Sequence, residues 1–135
     1  MNTRTLKFTA LGVVAIHFVV VVLHSIAHEV LSVKASSAQL AFIIPVIIVA
    51  PVVAGILLPK FGGAGTILLT VSMFGSFVFG VYYHFIAHTI DHVAHVAFLQ
   101  PVFWSQMFQL TAFLLAFFEM FGTGIGLILL ISRAR

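Results

Sequence analysis

The stretch YYHFIAHTIDHVAH, residues 82–95, concentrates ionisable side chains in a chain that has few elsewhere. The 135-residue sequence is 62% hydrophobic and 7% charged, and it contains seven histidines. Four of these histidines and one aspartate fall within this stretch. Neutral imidazole is the commonest protein ligand for transition metals, and carboxylates often complete such sites. The stretch therefore predicts a metal-binding or cofactor-binding role.

The spacing of the histidines predicts which of them share a site. His24 and His28 are four residues apart, as are His84 and His88, and two imidazoles at this spacing on a helix can bind one metal ion. A helix continued through residues 84–95 would place positions 84, 88, 91 and 95 on one stripe. Ionisable groups in membrane helices usually face the bundle interior, so we expect this stripe to face the first helix. The predicted ligands of one or two transition-metal ions are His24, His28, His84, His88, Asp91, His95 and Glu119.

The number of residues from the predicted cytoplasmic end of each helix gives the depth of a side chain in the membrane, and this depth predicts the neighbours of Glu119. At about 1.5 Å per residue, Glu119 falls at the same depth as His24 and His84, in the outer third of the bilayer. We therefore predict that Glu119 lies beside these two histidines or beside a metal that they hold. His17 is predicted to lie alone near the middle of the membrane, without a carboxylate partner.

The same residues also fit other functions. A b-type haem would take His17 or His24 and His84 or His88 as its axial ligands, and a chlorin pigment needs only one such histidine. A metal-ion or proton transporter would use the histidines as successive stations, and a structural network would use them only to hold helices together. For a bare ion, iron, copper and zinc all suit the predicted ligands.

Composition excludes several classes of protein. The sequence has no cysteine, which excludes disulfides, iron–sulfur clusters, thiolate sites and covalent haem attachment. The few basic residues form no patch, so nucleic-acid binding is not expected. Enzymatic activity stays open, because no nucleophile or cofactor fingerprint accompanies the histidines; redox chemistry on a lipophilic substrate is one option. The expected partners are membrane lipids, a lipophilic substrate or quinone, and other membrane subunits or a second copy of the chain.

Hydropathy predicts an all-α integral membrane protein, a four-helix bundle in a single domain covering residues 1–135. A spanning helix needs about 20 apolar residues, so four spans use most of the chain. The expected helices are about 6–33, 40–58, 66–96 and 105–131. The first is too long for the apolar core of a signal peptide, and we expect it to be retained as an anchor.

The distribution of basic residues predicts the orientation of the bundle. All lie on one side of the predicted membrane except Lys34. By the positive-inside rule, both termini are expected in the cytoplasm and the histidine site opens to the extracytoplasmic side of the cell inner membrane.

Three further patterns bear on the architecture. A shift of 67 positions aligns His17 with His84 and His24 with Asp91, which suggests a tandem duplication of a two-helix unit. Within GTGIG, residues 122–126, the small residues are spaced as in close helix contacts. Pro45 and Pro51 are expected to kink the second helix.

Overall fold

The computed structural model describes residues 2–133, with the side chain of Arg133 left aside, and these residues form helices and no strand. Four helical spans are long and apolar enough to cross a membrane, so the predicted all-α four-helix fold is confirmed. Orientation and duplication remain predictions. The elements in chain order are α1 (Thr3–Val30), α2 (Ser37–Phe42), the π-helical segment π1 (Ile43–Val49), α3 (Ala50–Lys60), α4 (Gly62–Val81), the π-helical segment π2 (Tyr82–Ile86), α5 (Val93–Val96) and α6 (Val102–Arg133).

The second span joins α2, π1 and α3 into one continuous rod, Ser37–Lys60. It begins with a capping box, in which the Ser36 hydroxyl accepts from the Gln39 backbone and the Gln39 side chain accepts from the Ser36 N–H. Proline has no N–H to donate and its ring crowds the preceding turn. The π-helical segment Ile43–Val49 contains Pro45, and Pro51 lies in the first turn of α3, directly after it. The predicted kink of the second helix remains a prediction.

The third span, Gly62–Ile86, is shorter than predicted. Its last turn is the π-helical segment π2, and at Ala87 the backbone becomes extended, with ψ of 126°. Helix resumes only in α5. The His92 side chain caps the first turn of α5 by accepting a hydrogen bond from the Ala94 N–H. The predicted continuation of this helix to Val96 is therefore wrong, and positions 84, 88, 91 and 95 do not form one helical stripe.

Packing away from the histidines is apolar and close. Gly122 and Gly126 on α6 face α4. A Cβ added at Gly126 would overlap the Thr70 side chain, and one added at Gly122 would come within 3.1 Å of the Met73 side chain. The predicted close helix contact at GTGIG is thus confirmed. A buried apolar cluster fills this half of the bundle: Leu6, Ala10, Val13, Val14, Ala54, Leu58, Leu69, Met73, Ile125 and Leu129. The opposite half, which holds the loops 31–36 and 87–101, is called here the histidine end.

Candidate metal centre

Three histidines from two spans meet inside the histidine end of the bundle. His24 and His28 lie one turn apart on α1, and His84 comes from π2. The Nε2 atom of His24 is 3.2 Å from the Nε2 atom of His84 and 3.2 Å from that of His28. One ring nitrogen from each residue lies within 4.8 Å of the other two, and we call this group the trihistidine cluster.

The other ring nitrogen of each histidine is held by an oxygen acceptor. Nδ1 of His28 lies 2.7 Å from the carbonyl of Val33, and Nδ1 of His84 lies 3.0 Å from the carbonyl of Asp91. A carbonyl can only accept, so both Nδ1 atoms carry a proton. In the neutral imidazole the lone pair is then on Nε2 and points into the cluster.

His24 reaches the same state through Thr111 on α6. Its Nδ1 atom is 2.8 Å from the Thr111 hydroxyl, which is itself 2.7 Å from the carbonyl of Met107. Because the hydroxyl donates to its own helix, it accepts the proton on Nδ1 of His24. All three histidines therefore turn an Nε2 lone pair inward. Metal-ligating histidines are typically oriented in this way by a second hydrogen bond.

The two carbonyl acceptors depend on how the adjacent helices end. After α1, Ser32 adopts a left-handed conformation with φ of 55°, and the Val33 N–H bonds back to the carbonyl of His28. This turn places the Val33 carbonyl within hydrogen-bond distance of Nδ1 of His28. In the segment 87–92, the Asp91 side chain accepts from Gln39 at 3.1 Å, which fixes the loop that supports His84.

An aromatic ring closes one side of the trihistidine cluster. Phe108 is fully buried, and its ring centroid lies 4.6 Å from that of His24, 4.7 Å from His28 and 5.4 Å from His84. His24 and His84 are themselves buried, whereas His28 is half-buried. The Phe108 ring thus shields the three imidazoles from water on one side. This favours binding of an ion by the imidazoles over their solvation.

Four of the predicted ligands lie outside the trihistidine cluster. His88 and His95 are exposed, and the His88 ring stacks on that of His92 with centroids 5.3 Å apart. Asp91 is buried and supports His84 through its backbone. His88 lies outside the cluster because the helix breaks at Ala87, and this break removes the turn that would have carried His88 toward the first helix.

Glu119, the fourth of these residues, pairs with His17. Its Oε1 atom lies 3.2 Å from Nε2 of His17, and both side chains are buried. The prediction that His24 and His84 are its neighbours is therefore wrong, as is the prediction that His17 lacks a carboxylate. Both residues sit near the midpoints of their helices, α1 and α6, which places them deeper than the cluster.

A cavity of about 370 Å³ lies among the four spans and reaches all three histidines. We call it the histidine cavity. Asp91 lines it near the loops, and Glu119 lines it at the opposite end. The cluster therefore has Phe108 on one side and an accessible space on another, the arrangement expected when a bound ion must also meet a further ligand.

Thr111 and Phe108 were not predicted from the sequence as parts of the site. A threonine or phenylalanine in an apolar helix has no pattern that separates it from packing residues. Thr111 does lie two helical turns from Glu119, on the same face of α6, and this spacing was a usable signal.

Replacing Thr111 tests its orienting role. Thr111→Val keeps the shape of the side chain but removes the acceptor for Nδ1 of His24, so we expect metal affinity to fall about 10- to 100-fold. Thr111→Ser retains the hydroxyl and should bind metal with nearly unchanged affinity. Competition with a chelator of known affinity measures both. Equal affinities for the two variants would contradict the role.

The trihistidine cluster is the one group of at least three histidine or acidic side chains with metal-binding proximity in the described part of the chain. Comparisons of the sequence and structure with protein-family models, with curated proteins and with solved structures find no match. Function is therefore inferred from the geometry and chemistry of the cluster itself.

Proposed function

We propose that this chain is a membrane protein that binds one transition-metal ion through Nε2 of His24, His28 and His84. The observation that carries the proposal is the convergence of three Nε2 lone pairs, each fixed by a hydrogen bond from Nδ1 to an oxygen acceptor. Converging lone pairs repel one another, and a cation turns that repulsion into attraction. A purely structural network would instead alternate donors and acceptors.

The distances within the cluster support a bare ion. A tetrahedral site with metal–nitrogen bonds of about 2.0–2.1 Å places neighbouring nitrogens about 3.4 Å apart. The pairs His24–His84 and His24–His28 are both at 3.2 Å between Nε2 atoms. Two of the three nitrogen pairs are therefore already close to the spacing of a tetrahedral site, and the ligand atoms of His28 and His84 lie within 4.8 Å of each other.

The three imidazole ligands limit which metal ions suit the site but do not identify one of them. Imidazole suits iron, copper and zinc. The sequence has no cysteine, so thiolate ligands, which would favour other metal ions, are excluded. When bound, such an ion supplies Lewis-acid chemistry or, if redox-active, electron transfer. Three protein ligands leave a coordination position free, which is the pattern of catalytic and not of structural sites. If the protein is an enzyme, we propose that it carries out metal-dependent redox chemistry on a lipophilic substrate.

Haem is less well supported by the same geometry. In a haem with two axial imidazoles, the macrocycle lies between the two ligating nitrogens. The His24 and His84 nitrogens are in direct contact, and Phe108 packs against both rings. His17, another candidate axial ligand, is engaged by Glu119, and His88 is exposed.

A transporter is also less well supported. Beyond His17 the bundle is filled by the buried apolar cluster that includes Val13, Leu69 and Met73. The nearby hydroxyls of Thr70 and Ser76 donate to carbonyls of their own helix. In the described residues, no histidine, aspartate or glutamate lies between His17 and the end of the bundle that carries Lys60.

For the orientation, we propose that both termini lie in the cytoplasm of a cell whose inner membrane holds the bundle. Arg4, Lys7, Lys60 and Arg133 lie at one end of the predicted spans and Lys34 at the other. By the positive-inside rule, the histidine end then faces the extracytoplasmic side.

Metal analysis together with an absorption spectrum tests the proposal. Protein purified in detergent and loaded with Co²⁺ should bind one ion per trihistidine cluster and show the visible bands of tetrahedral cobalt. A strong Soret band in the protein as isolated would favour haem instead. Failure to bind Co²⁺, Zn²⁺ or Cu²⁺ at near-stoichiometric levels would contradict the proposal.

Proton competition gives a further prediction. Only neutral imidazole coordinates a metal, so protons and the ion compete for the same three Nε2 lone pairs. We expect the metal affinity to fall steadily as pH is lowered from about 8 to about 5, the range in which histidine titrates. Chelator competition at each pH measures it. An affinity that stays flat over this range would contradict coordination by histidine.

A further inference from the structure

The histidine cavity extends well beyond the trihistidine cluster. Val33 and Asp91 line it near the loops, and Gly80 and Glu119 line its opposite end. On α6, Glu119 follows Thr111, the residue that holds His24, by two turns or about 12 Å. The cavity is therefore long enough for an elongated molecule that reaches from the cluster to Glu119.

The walls between these two ends are mostly apolar. Val21, Ile47 and Leu115 line the cavity and belong to one apolar cluster, and Phe79 packs against that cluster. Apolar surface moved from water to such walls gains about 25 cal/mol per Å². The long part of the cavity thus suits the hydrocarbon body of a small molecule.

The far end of the cavity carries one unsatisfied polar atom. Glu119 is 2% exposed, and its Oε1 atom is paired with His17. Its Oε2 atom is buried and has no hydrogen-bond partner among the described residues. A Cβ atom added at Gly80 would come within 3.6 Å of Oε2, so the glycine leaves space beside this oxygen. Buried polar atoms are nearly always hydrogen-bonded, so Oε2 is expected to accept from or donate to a water molecule or a ligand group at this position.

The mouth of the cavity opens on the outer surface of the bundle. Among the lining residues, Ser25, Glu29, Lys34 and Leu40 are exposed, and they lie where α1 and the second span separate at the histidine end. In a membrane this surface borders lipid near the headgroup region. A molecule with an apolar body and a small polar group concentrates in that layer.

We propose that the histidine cavity binds a lipophilic alcohol or phenol, with the hydroxyl group hydrogen-bonded to Oε2 of Glu119 and the apolar body along the cavity walls. A hydroxyl donates to a carboxylate and accepts from a carboxylic acid, so it satisfies Glu119 in either protonation state. Binding at Glu119 requires no metal ion, and this inference stands independently of the proposed metal site.

A matched pair of probes tests the hydroxyl contact. The affinities of 1-naphthol and naphthalene are measured by titration calorimetry with the full chain in detergent, and the heats of micelles alone are subtracted. We expect 1-naphthol to bind at least about tenfold more tightly, as for a hydrogen bond to a buried acidic group. Glu119→Leu should abolish this preference, and Glu119→Gln, which can still hydrogen-bond, should retain most of it.

Cavity filling gives an independent test. Ala116 lines the cavity but is not part of the Glu119–His17 pair. Ala116→Phe places a ring in the cavity and should weaken the binding of both probes at least about tenfold. Ala41→Phe makes the same change at an exposed position outside the cavity lining and should leave both affinities unchanged. If Glu119→Leu does not fold, this pair of variants decides the matter.

Several outcomes would overturn the proposal. Equal wild-type affinities for the two probes, a preference that survives Glu119→Leu, or unchanged binding in Ala116→Phe would each do so. Measuring both probes on wild-type protein treated with EDTA separates this proposal from the metal site, because the preference for 1-naphthol should persist when no ion is bound.

Discussion

Replacing His84 with alanine should lower the metal affinity of the protein by more than about 100-fold. Loss of a group that merely supports a ligand costs about 10- to 100-fold, so loss of a ligand should exceed that range. His84 is also the only member of the trihistidine cluster outside α1, and without it the remaining pair, His24 and His28, is a single-helix site. Metal content after dialysis and competition with a chelator measure the change.

His88→Ala and His95→Ala are the matched controls for this prediction. Both residues are histidines of the same segment, but they are exposed and lie outside the trihistidine cluster. We expect the stoichiometry and affinity of each variant to stay close to those of the parent. If His84→Ala and His88→Ala behaved alike, the assignment of the ligands would be wrong.

The second large effect concerns stability and involves the His17–Glu119 pair. His17→Leu leaves the Glu119 carboxyl buried without the imidazole that it is paired with, and should lower the free energy of unfolding by about 1–3 kcal/mol. The double variant His17→Leu/Glu119→Leu removes both polar groups and should recover most of the loss, because apolar replacement of a whole buried pair is often neutral. Unfolding of the detergent-solubilised protein measures all the variants.

The double-mutant cycle formed by these variants reports on the pair alone. A coupling free energy near zero, with the effects of His17→Leu and Glu119→Leu simply adding, would contradict a direct interaction. Thr123→Ala serves as a control on the same helix, because the Thr123 hydroxyl bonds to the backbone carbonyl of Glu119 and not to its side chain. We expect that variant to change stability by a few tenths of a kcal/mol at most, as for ordinary substitutions away from such features.

Much of the fold could be predicted because it depends on properties averaged over many residues. A window of about twenty predominantly apolar residues identifies a span whatever their order, and the described residues contain four such spans. The ends of the helices depend on single residues and were less predictable. No glycine or proline lies between Gly80 and Pro101, so the pattern gave no strong reason to end the third span at Ile86. Thr89 and Asp91, which favour turns over helix interiors, were the weaker signal.

The site was predictable to the extent that it lies within one helix. His24 and His28 are one turn apart on α1, and the spacing in the sequence is the spacing in space. The position of His84 also followed from the expectation that ionisable groups face the bundle interior. His88 and His95 did not join the cluster, because their placement depended on an unbroken helix.

The pairing of His17 with Glu119 could not be obtained from a count of depth. The count needs the point at which each helix enters the membrane, and an error of a few residues at each end moves a side chain by a full turn. Glu119 was predicted level with His24, whereas it pairs with His17, about two helical turns away along α1. Which side chains face each other across two helices depends on rotation and relative height together, and a single sequence contains neither.

The π-helical turn at Tyr82–Ile86 has a consequence for how such a site could arise. Its closing hydrogen bond runs from the Ala87 N–H to the Tyr82 carbonyl, so the turn contains one residue more than an α-helical turn. Because the wider turn accommodates the extra residue within itself, a single inserted codon can lengthen this turn while the rest of the span keeps its packing. His84 lies inside the turn, so such an insertion would redirect this one imidazole without a new histidine and without a new helix.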